Sequence, residues 1–539
     1  MSIPSTVEDF LRPLDVDTPK IHGLAKALTC TYNRLALESE EQFLSTPIEE
    51  SLLRPESEGS GRYLAIDIGG TNLRVGFVEF VGTDARQDTN FRGRGNRHRH
   101  QSNVNTDSRI RRVLEKSWPI GEQLKHNEAE DLFAWIGCCI AEVVENARIL
   151  QELPEEISLG VTFSFPMIQH TLSEATLMSM GKGFSLSENA NLGKLLLAGY
   201  ESCRKPSLPT LRITAIVNDA VATLVAFAYN FRSKPNQKAA MGLIVGTGCN
   251  ATIPLALSKL KPSKRPTNVT AINDLEKSDM KVAVNTEWSI NGTAAPLREL
   301  DFITKWDRQL DEQGETAGFM PFEYMTAGRY VGELGRLIIL DCFTNHLHIP
   351  ITTLPPQLLQ RGGLTTTFLG NIGPHLSRSQ PSLLLQLETE LPPSPNPDAW
   401  SWTQEAAETV LKISKAIQIR AAAMTAAATI ALLACADELH FTPLPTPLSS
   451  PSSSLPNDPV HAPASSEDVE ELMVGYTGGC ITHFQDYLAD CQRFINEILD
   501  AEFEGKKGVP RVTLVPCHDG GVVGAGILAG TVFELKAGM

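Results

Sequence analysis

The sequence predicts an α/β fold that binds its ligands at the carboxyl ends of strands, and three observations point to it. Two runs of β-branched and aliphatic residues, 63–66 and 75–81, flank a glycine-rich turn, as the strands of a hairpin do. A third run, 212–217, leads directly into an apolar helical stretch at 220–229. A fourth run, 241–245, again ends in a glycine turn. Open α/β sheets bind ligands where their strands end, so the residues of these turns are the first functional candidates.

Length and charge limit the classes of function. A chain of 539 residues is too long for one hydrophobic core, so we expect two or more domains. Its net charge of −16 argues against general binding to nucleic acids or anionic membranes. The apolar stretch 421–436 is shorter than the roughly 20 residues of a membrane span, so we predict a buried helix there and no span. Early acidic residues, with no long apolar run, argue against a secretory signal.

The ten cysteines are scattered from Cys30 to Cys517 without a CxxC pair. This spacing predicts neither a zinc site nor a disulfide framework, and it favours a reducing compartment. We therefore expect a cytoplasmic protein, and leave a nuclear or organelle-associated fraction open.

Two segments have a composition unlike the rest of the chain. The stretch 84–112 is rich in Arg and His, and we interpret it as a solvated hairpin extension, with a localisation signal or polyanion contact as the alternative. The stretch 441–468 is rich in Pro and Ser, which predicts a disordered insertion within a domain. Either segment is a candidate contact for a protein partner.

The first glycine turn runs from Asp67 to Arg74 with the sequence DIGGTNLR. Glycine lets backbone N–H groups approach phosphate oxygens, and Thr71 adds a hydroxyl donor. Asp67 has the chemistry to orient a hydrated Mg²⁺ ion that bridges phosphates. An ordinary tight hairpin turn explains the same residues, and a short glycine motif alone does not decide between the two.

Further polar residues follow the other strands. Asp219 comes where a strand ends and a helix begins, which fits either a helix N-cap, a role worth about 1 kcal/mol, or a carboxylate at the ligand-binding edge. Thr247 and Gly248 form a second turn suited to a polyphosphate, followed by Asn250. Glu287 follows a third strand, at 282–287, in the same way.

Six segments, in this order along the chain, resemble the hexokinase family. They are LAIDIGGTNLRV (64–75), LGVTFSFP with GKGF (159–184), IVNDAVATL (216–224), GLIVGTGCN (242–250), VNTEW (284–288) and FEYMTAGRYVGEL (322–334). The resemblance spans about residues 60–440 and 470–535. It implies an α/β protein with two lobes of the actin-like ATPase (ribonuclease H-like) type that close over a cleft. It also implies transfer of the γ-phosphoryl of ATP to the 6-hydroxyl of a hexose, the first step of glycolysis, with Mg²⁺ bound alongside ATP.

The same resemblance implies a division of the chain. Residues 1–60 would form a helical segment on the large lobe, 61–217 the small lobe and 218–518 the large lobe. Residues 519–539 would form a C-terminal helix that returns to the small lobe. The resemblance fits a monomer or a dimer, with a hexose and ATP as the small-molecule partners.

Roles for individual residues also follow from the resemblance. Asp219 would be the catalytic base that accepts the proton of the attacking hydroxyl. The hexose would be bound by Ser164, Lys182, Asn218, Asn250, Glu287 and Glu323. The nucleotide would be bound by Asp67, Gly69, Gly70, Thr71, Asn72, Arg74, Thr247, Gly248, Gly478 and Gly479. No residue is expected to bind the metal directly, and Asp67 would hold it through water.

The chain departs from the family pattern at several positions. On the sugar side the departures are Gly181, Ala251 and Ser289, and on the nucleotide side they are 477–479 and 519–522. Loss of one hydroxyl contact costs about 0.5–1.5 kcal/mol of sugar binding. The expected function is therefore an ATP-dependent hexokinase, with D-glucose as the expected sugar. The alternative is a weakly active or inactive hexokinase-like protein that senses sugar and regulates a partner.

Overall fold

The computed structural model describes most of the chain. The described residues are 6–53, 60–81, 109–121, 123–124, 129–178, 190–231, 234, 236–270, 280–314, 316–372, 382–393, 400–441 and 469–538. Lys182 and Gly181 lie outside them, as do all but the last residues of the Arg/His-rich stretch and all but the first of the Pro/Ser-rich stretch.

The described strands and α-helices alternate along much of the chain. The strands are β1 (Leu44–Glu49), β2 (Arg62–Ile68), β3 (Asn72–Phe80), β4 (Ile110–Pro119), β5 (Glu156–Phe163), β6 (Met167–Thr171), β7 (Glu174–Leu177), β8 (Thr210–Asn218), β9 (Gln237–Val245), β10 (Cys249–Ala256), β11 (Lys281–Asn285), β12 (Glu471–Thr477) and β13 (Arg511–Pro516). The helices of the first half are α1 (Val7–Leu11), α2 (Thr18–Glu38), α3 (Ala129–Leu150), α4 (Leu192–Cys203), α5 (Asp219–Asn230), α6 (Ala294–Glu299) and α7 (Lys305–Glu312). The helices of the second half are α8 (Pro321–Thr326), α9 (Gly328–Asp341), α10 (Pro356–Leu359), α11 (Thr366–Asn371), α12 (Leu383–Glu390), α13 (Gln404–Cys435), α14 (Gly479–His483), α15 (Tyr487–Phe503) and α16 (Gly520–Gly538).

The small lobe is built on a five-stranded sheet with the order β4-β3-β2-β5-β8. Strands β2, β5 and β8 are parallel, and their register places Ile68 beside Phe163 and Phe163 beside Asn218. The chain segments that follow these three residues therefore leave the sheet at one edge. That shared edge explains how Thr71, Ser164 and Asp219 come together although they are far apart in sequence.

The large lobe is built on a six-stranded sheet with the order β1-β11-β10-β9-β12-β13. Parallel pairing of β12 with β9 sets Thr477 beside Ile244, so the turns that follow these two strands are neighbours. The largest hydrophobic core of the described residues lies between this sheet and helices α2, α13 and α15. Helix α5 is almost entirely buried and packs against both β9 and the C-terminal helix α16. Helix α16 in turn packs on β2, β5 and β8 of the small sheet.

Helix α13 confirms the prediction of a buried apolar helix. Within the described residues it is the one helix long and apolar enough to cross a membrane, judged by length and composition alone. However, 89% of its most apolar 18-residue window is buried inside the protein. Its apolar surface is thus used to build the core of the large lobe.

Two sequence-based predictions of local structure were wrong. The first 60 residues were expected to be helical, but Leu44–Glu49 is a strand that pairs with β11. Pro47 weakens the strand pattern, yet β1 lies at the edge of its sheet, where a missing N–H is tolerated. The predicted Arg/His-rich loop 84–112 extends too far, because residues 110–112 belong to β4 and pair with β3.

Helices α3 and α4 cover the small sheet and touch each other closely. A Cβ atom at Gly137 would overlap the carbonyl oxygen of Gly199, so the two helix backbones are in direct contact there. A disulfide joins Cys138 of α3 to Cys203 of α4. Cysteine spacing alone did not predict this bond, because its two partners are 65 residues apart and meet only through the packing of the helices.

Candidate active site

A cavity of about 260 Å³ lies between the two lobes and is lined by both of them. Nine of the predicted site residues line it: Gly70, Thr71, Ser164, Asp219, Thr247, Gly248, Asn250, Glu287 and Glu323. We call this space the interlobe cavity. Its other walls are mainly apolar and include Phe165, Ile290 and Met320. The structure therefore brings the two glycine turns and three carboxylates into one space.

Asp219 and Asn218 begin helix α5 and have different surroundings. The Asn218 side chain is 3% exposed, and its Oδ1 accepts the Ala220 N–H at 2.9 Å, so it caps the helix. Asp219 Oδ1 accepts the same N–H at 2.8 Å, while the residue lines the interlobe cavity. The N-cap role that the sequence offered for Asp219 thus belongs mainly to Asn218.

The first glycine turn holds Asp67 against the start of α16. A Cβ atom at Gly521 would come within 2.5 Å of Asp67 Oδ2, so the missing side chain makes room for this carboxyl. Burial and the nearby charge of Asp219 raise the pKa of Asp67 to about 7, although Arg74 opposes the shift from 3.7 Å. The positive charge of Arg74 therefore balances the Asp67 carboxylate only in part, which suits a group that binds near a cation.

The second glycine turn is tied to Glu323. The Gly246 N–H donates to the Gly248 carbonyl at 2.8 Å, which closes the turn. The Cys249 N–H donates to Glu323 Oε2 at 3.0 Å, and a Cβ atom at Gly248 would lie 2.8 Å from the same oxygen. Glycine at position 248 therefore lets the turn pack directly against the Glu323 carboxylate at the wall of the cavity.

Asn250 and Glu287 form one hydrogen-bonded unit across the large sheet. Asn250 Nδ2 donates to Glu287 Oε1 at 3.2 Å, and the Glu287 N–H donates to Asn250 Oδ1 at 3.2 Å. Asn285 Nδ2 donates to the same Glu287 oxygen at 2.8 Å. Glu287 has a φ of +45°, which is unusual for a residue with a side chain, and Gln42 fixes its carbonyl at 2.9 Å. This arrangement orients an amide and a carboxylate toward the cavity.

Some predicted residues do not line the cavity. Asn218 is buried in its capping role, and Gly478 packs its backbone against residues 245–246 with a φ of +120°. The others are Asp67, Gly69, Asn72, Arg74 and Gly479. Lys182 lies outside the described residues. The roles proposed for all these residues stay predictions.

Three residues of this site were not predicted from the sequence. Arg329 lines the cavity. It lies in the segment FEYMTAGRYVGEL, so its positive charge could have marked it as a candidate. Ser289 also lines the cavity, and it was noted only as a departure. Nothing in the sequence pointed to Gln42, because the strand that follows it was not predicted.

The residues at the two turns fit a magnesium–nucleotide group. Gly70 and Gly248, which carry no side chain, and Thr71 and Thr247, which carry hydroxyls, all line the cavity. Mg²⁺ in nucleotide sites usually needs only one or two carboxylates besides phosphate and water, and Asp67 meets that need. The fold and this site define a two-lobed α/β protein of the actin-like ATPase class.

Comparisons with known proteins identify the family. One hexokinase family model matches residues 240–531, more than half of the chain, and a second matches residues 6–229. The chain belongs to the hexokinase family.

Individual relatives agree with this assignment. Hexokinase of Emericella nidulans is 26% identical over 493 residues, which cover 90% of this chain and 82% of that protein. Hexokinase-1 of Schizosaccharomyces pombe is 30% identical over 292 residues, 54% of this chain and 51% of that protein. The match with this second relative thus spans about half of its length.

Solved structures show the same fold. The structure of hexokinase from Schistosoma mansoni complexed with glucose aligns with a TM-score of 0.71 at 23% identity, covering 97% of this chain and 98% of that one. A second hexokinase crystal structure aligns with a TM-score of 0.67 at 21% identity, covering 98% of both chains. At these identities the likeness concerns the fold.

Proposed function

We propose that this protein transfers the γ-phosphoryl group of ATP to the 6-hydroxyl of a hexose, and that D-glucose is its preferred sugar. The observation that carries the proposal is the interlobe cavity, where Asp219 shares one space with both glycine turns and with the polar residues of the large lobe. Membership of the hexokinase family supports the reaction class. The glucose named for the Schistosoma mansoni structure makes glucose the first sugar to test.

The sugar would be bound by groups from both lobes. Asn250 and Glu287 present an amide and a carboxylate from the large lobe, and Glu323 presents a second carboxylate. Ser164 faces them from the small lobe. One net hydrogen bond contributes only about 1 kcal/mol, so a neutral polyol needs several of them to bind specifically.

Asp219 would take the proton of the sugar 6-hydroxyl as that oxygen attacks the phosphoryl group. General-base assistance of this kind contributes roughly 10²- to 10⁴-fold in rate. Phosphoryl transfer passes through a loose transition state, so the remaining demand is positioning and neutralisation of charge. The two glycine turns would position the phosphates, and Mg²⁺ would supply positive charge when bound with the nucleotide.

The test is product formation by the purified protein, measured by a coupled assay with glucose, fructose and mannose. We expect Mg-ATP-dependent glucose 6-phosphate, reduced about 10²-fold or more in Asp219→Asn. Asp131→Asn is the matched control, since Asp131 also lies in the first turn of a helix but on an exposed surface away from the cavity. Sugar binding by calorimetry without product at saturating ATP would contradict the proposal. Equal rates for the wild type and Asp219→Asn would contradict the role of Asp219.

A further inference from the structure

We propose that Gln42 is a positioning residue of the sugar site: its buried side-chain amide fixes the main chain at Glu287 and thereby sets the direction of the Glu287 carboxylate. The inference rests on the proposed function, in which Glu287 binds the hexose. It adds a residue that does not itself line the interlobe cavity. Gln42 therefore controls sugar affinity without touching the sugar.

Gln42 lies in the segment that joins α2 to β1, and it is bonded to the loop that carries Glu287. Gln42 is 1% exposed, and its Nε2 donates to the Glu287 carbonyl at 2.9 Å. The N–H of the next residue, Phe43, donates to the Thr286 carbonyl at 3.1 Å. The Ile290 N–H reaches the Glu287 carbonyl at 3.4 Å, so Gln42 makes the shorter bond to that oxygen. Residues 42 and 43 thus hold two successive carbonyls of the loop that follows β11.

The main chain at Glu287 needs such support because its conformation is unfavourable. Its φ of +45° lies in the left-handed region, where a residue with a side chain persists only when its surroundings hold it. The Glu287 N–H donates to Asn250 Oδ1 at 3.2 Å, so Asn250 holds the peptide before the Glu287 Cα and Gln42 holds the peptide after it. Because the bond angles at Cα are nearly constant, the two peptides together fix the direction of the Cα–Cβ bond. The two contacts therefore set where the carboxylate points.

Gly292 makes room for the Gln42 amide. A Cβ atom at Gly292 would overlap Gln42 Oε1, and it would lie 2.7 Å from Leu35 Cδ2 of α2. A glycine is therefore needed for the Gln42 side chain to approach this loop. Gly292 comes three residues after Ser289, one of the positions where the chain departs from the family pattern. The close fit of Gln42 thus involves a segment in which this chain has its own sequence.

The main chain of Gln42 is itself held from two sides. Lys264 Nζ donates to the Gln42 carbonyl at 2.8 Å, and the Gln42 N–H donates to Ser39 Oγ at 3.1 Å. Lys264 Nζ also donates to the Leu35 carbonyl, in the last turn of α2, at 3.3 Å. The amide therefore projects from a fixed base, and loss of its hydrogen bond acts on Glu287.

The alternative is a buried amide that does no more than satisfy its own hydrogen bond. Such a residue contributes to the free energy of unfolding, as most buried polar groups do, and its loss affects every ligand alike. A positioning residue instead changes the affinity for the sugar and leaves the affinity for the nucleotide unchanged. The two roles therefore predict different ratios of glucose binding to nucleotide binding.

The first experiment measures equilibrium binding of glucose and of Mg-ADP by calorimetry. Gln42→Met keeps the length of the side chain and removes the donor, so we expect glucose binding to be about 3- to 10-fold weaker, the worth of one net hydrogen bond. Mg-ADP affinity should stay within about twofold, which also shows that the variant is folded. Gln492→Met is the matched control, because Gln492 Nε2 donates to the Val512 carbonyl at 2.8 Å away from the cavity. Unchanged glucose affinity in Gln42→Met, or equal losses for both ligands, would overturn the proposal.

The second experiment tests whether Gln42 acts through the side chain of Glu287. Glu287→Ala removes the carboxylate that Gln42 directs, so adding Gln42→Met to it should change glucose affinity by less than about twofold. Glucose binding by these weaker variants is followed as the rise of the melting temperature with sugar concentration. If Gln42→Met weakens glucose binding by the same factor with and without the carboxylate, its effect does not pass through Glu287 and the proposal is wrong.

A third variant displaces the Gln42 amide without removing it. In Gly292→Ala the new methyl group would overlap Gln42 Oε1, so we expect weaker glucose binding with normal Mg-ADP binding. Gly23→Ala is the control, because a Cβ atom there would meet no atom within 4 Å. Glucose affinity equal to that of the wild type in Gly292→Ala would count against Gln42 and overturn the assignment.

Failure of this inference is distinct from failure of the proposed function. Glucose binding requires neither nucleotide nor turnover, so a wild type that binds glucose without making product loses the proposed function and still reports on Gln42. Conversely, an active wild type whose Gln42→Met variant binds glucose normally retains the proposed function and loses this residue assignment. A wild type that binds none of glucose, fructose and mannose overturns both.

Discussion

At the residue scale, Asp67 shows how the fold changes the chemistry of one side chain. Its side chain is 16% exposed and lies under the start of α16, while Asp219 adds a like charge nearby. Both effects disfavour the ionised form, so the pKa rises from 3.8 to about 7. Ionisation of Asp67 therefore lowers the stability of the folded protein, and a bound cation would offset that loss.

We predict that Asp67→Asn stabilises the protein above neutral pH. Between pH 3.8 and about 7 the native Asp67 keeps a proton that the unfolded chain has lost, so wild-type stability falls as pH rises through that window. The stability of Asp67→Asn relative to wild type should therefore increase from pH 5 to pH 8, by up to about 3 kcal/mol. Urea unfolding of both proteins at the two pH values measures this difference.

A control with the opposite sign is Asp490→Asn. Hydrogen bonds from Gln418, Lys415 and Arg493 outweigh burial and lower the pKa of Asp490, so losing its charge should destabilise the protein at pH 8. A stability difference between Asp67→Asn and wild type that stays constant from pH 5 to pH 8 would disprove the raised pKa of Asp67.

Nine of the residues that the sequence predicted for the site line the interlobe cavity. Asp219, Asn250 and Glu287 were found because each follows a strand, where ligands of α/β sheets bind. Asn218 Oδ1 caps helix α5, which depends on a rotamer that no sequence pattern shows, and the expected contact of Asn218 with the sugar stays a prediction. Arg329 was overlooked because only packing against Thr247 places it at the cavity.

At the element scale, the contact of α3 with α4 depends on glycine. Gly137 and Gly199 let the two backbones touch, and the disulfide Cys138–Cys203 joins the same helices. Helix α3 was predicted from its apolar stripe, because a helical period is a property of the local sequence. The partner of that helix and the distance between the two were not predictable, because they depend on residues remote in the chain.

We predict opposite effects for two Gly→Ala changes within helices. In Gly137→Ala the new methyl group would overlap the Gly199 carbonyl, so we expect destabilisation of about 1–3 kcal/mol. In Gly23→Ala, within α2, a Cβ atom would meet no atom within 4 Å, so helix propensity should stabilise the protein by about 0.5–1 kcal/mol. Chemical denaturation with the disulfide intact in every variant measures both. If Gly137→Ala leaves the free energy of unfolding unchanged, the two helices can move apart without loss of stability, and the prediction is wrong.

Strand β1 illustrates why edge elements escape sequence analysis. The segment Leu44–Glu49 contains Ser, Thr and Pro, and it lacks the alternation of a half-buried strand, yet all six residues are buried. Pairing with β11 and packing against β6 bury it, and neither contact is encoded locally. Gln42, two residues before this strand, donates from Nε2 to the Glu287 carbonyl at 2.9 Å.

At the scale of the whole molecule, the interlobe cavity lies between two sheets, and one buried cluster around helices α5 and α16 includes residues of both. Ser164 and Thr71 belong to the small lobe, and Asn250, Glu287 and Glu323 belong to the large lobe. Under the proposed function, a sugar in contact with both lobes would gain hydrogen bonds as the lobes approach, and their approach would remove water that competes as the phosphoryl acceptor.

We predict that saturating glucose makes the protein more compact, measured as a lower radius of gyration by small-angle scattering. Glu287→Gln should lose much of this response, because the carboxylate that Asn250 and Asn285 orient is gone. Glu299→Gln, at an exposed position on α6, is the control and should respond as wild type does. An unchanged radius with calorimetrically bound glucose would contradict closure of the lobes.

The sequence by itself determined the α/β class, the strand–turn segments and the chemical types that carry the predicted function, because periodicity, glycine turns and motif order are local properties. Only the tertiary structure decided that these segments meet in one cavity, that Asn218 caps a helix, that Cys138 pairs with Cys203 and that Arg329 lines the cavity. The physical reason is that parallel strand register and helix packing set distances between residues that are far apart in the chain, and those distances depend on the whole set of contacts.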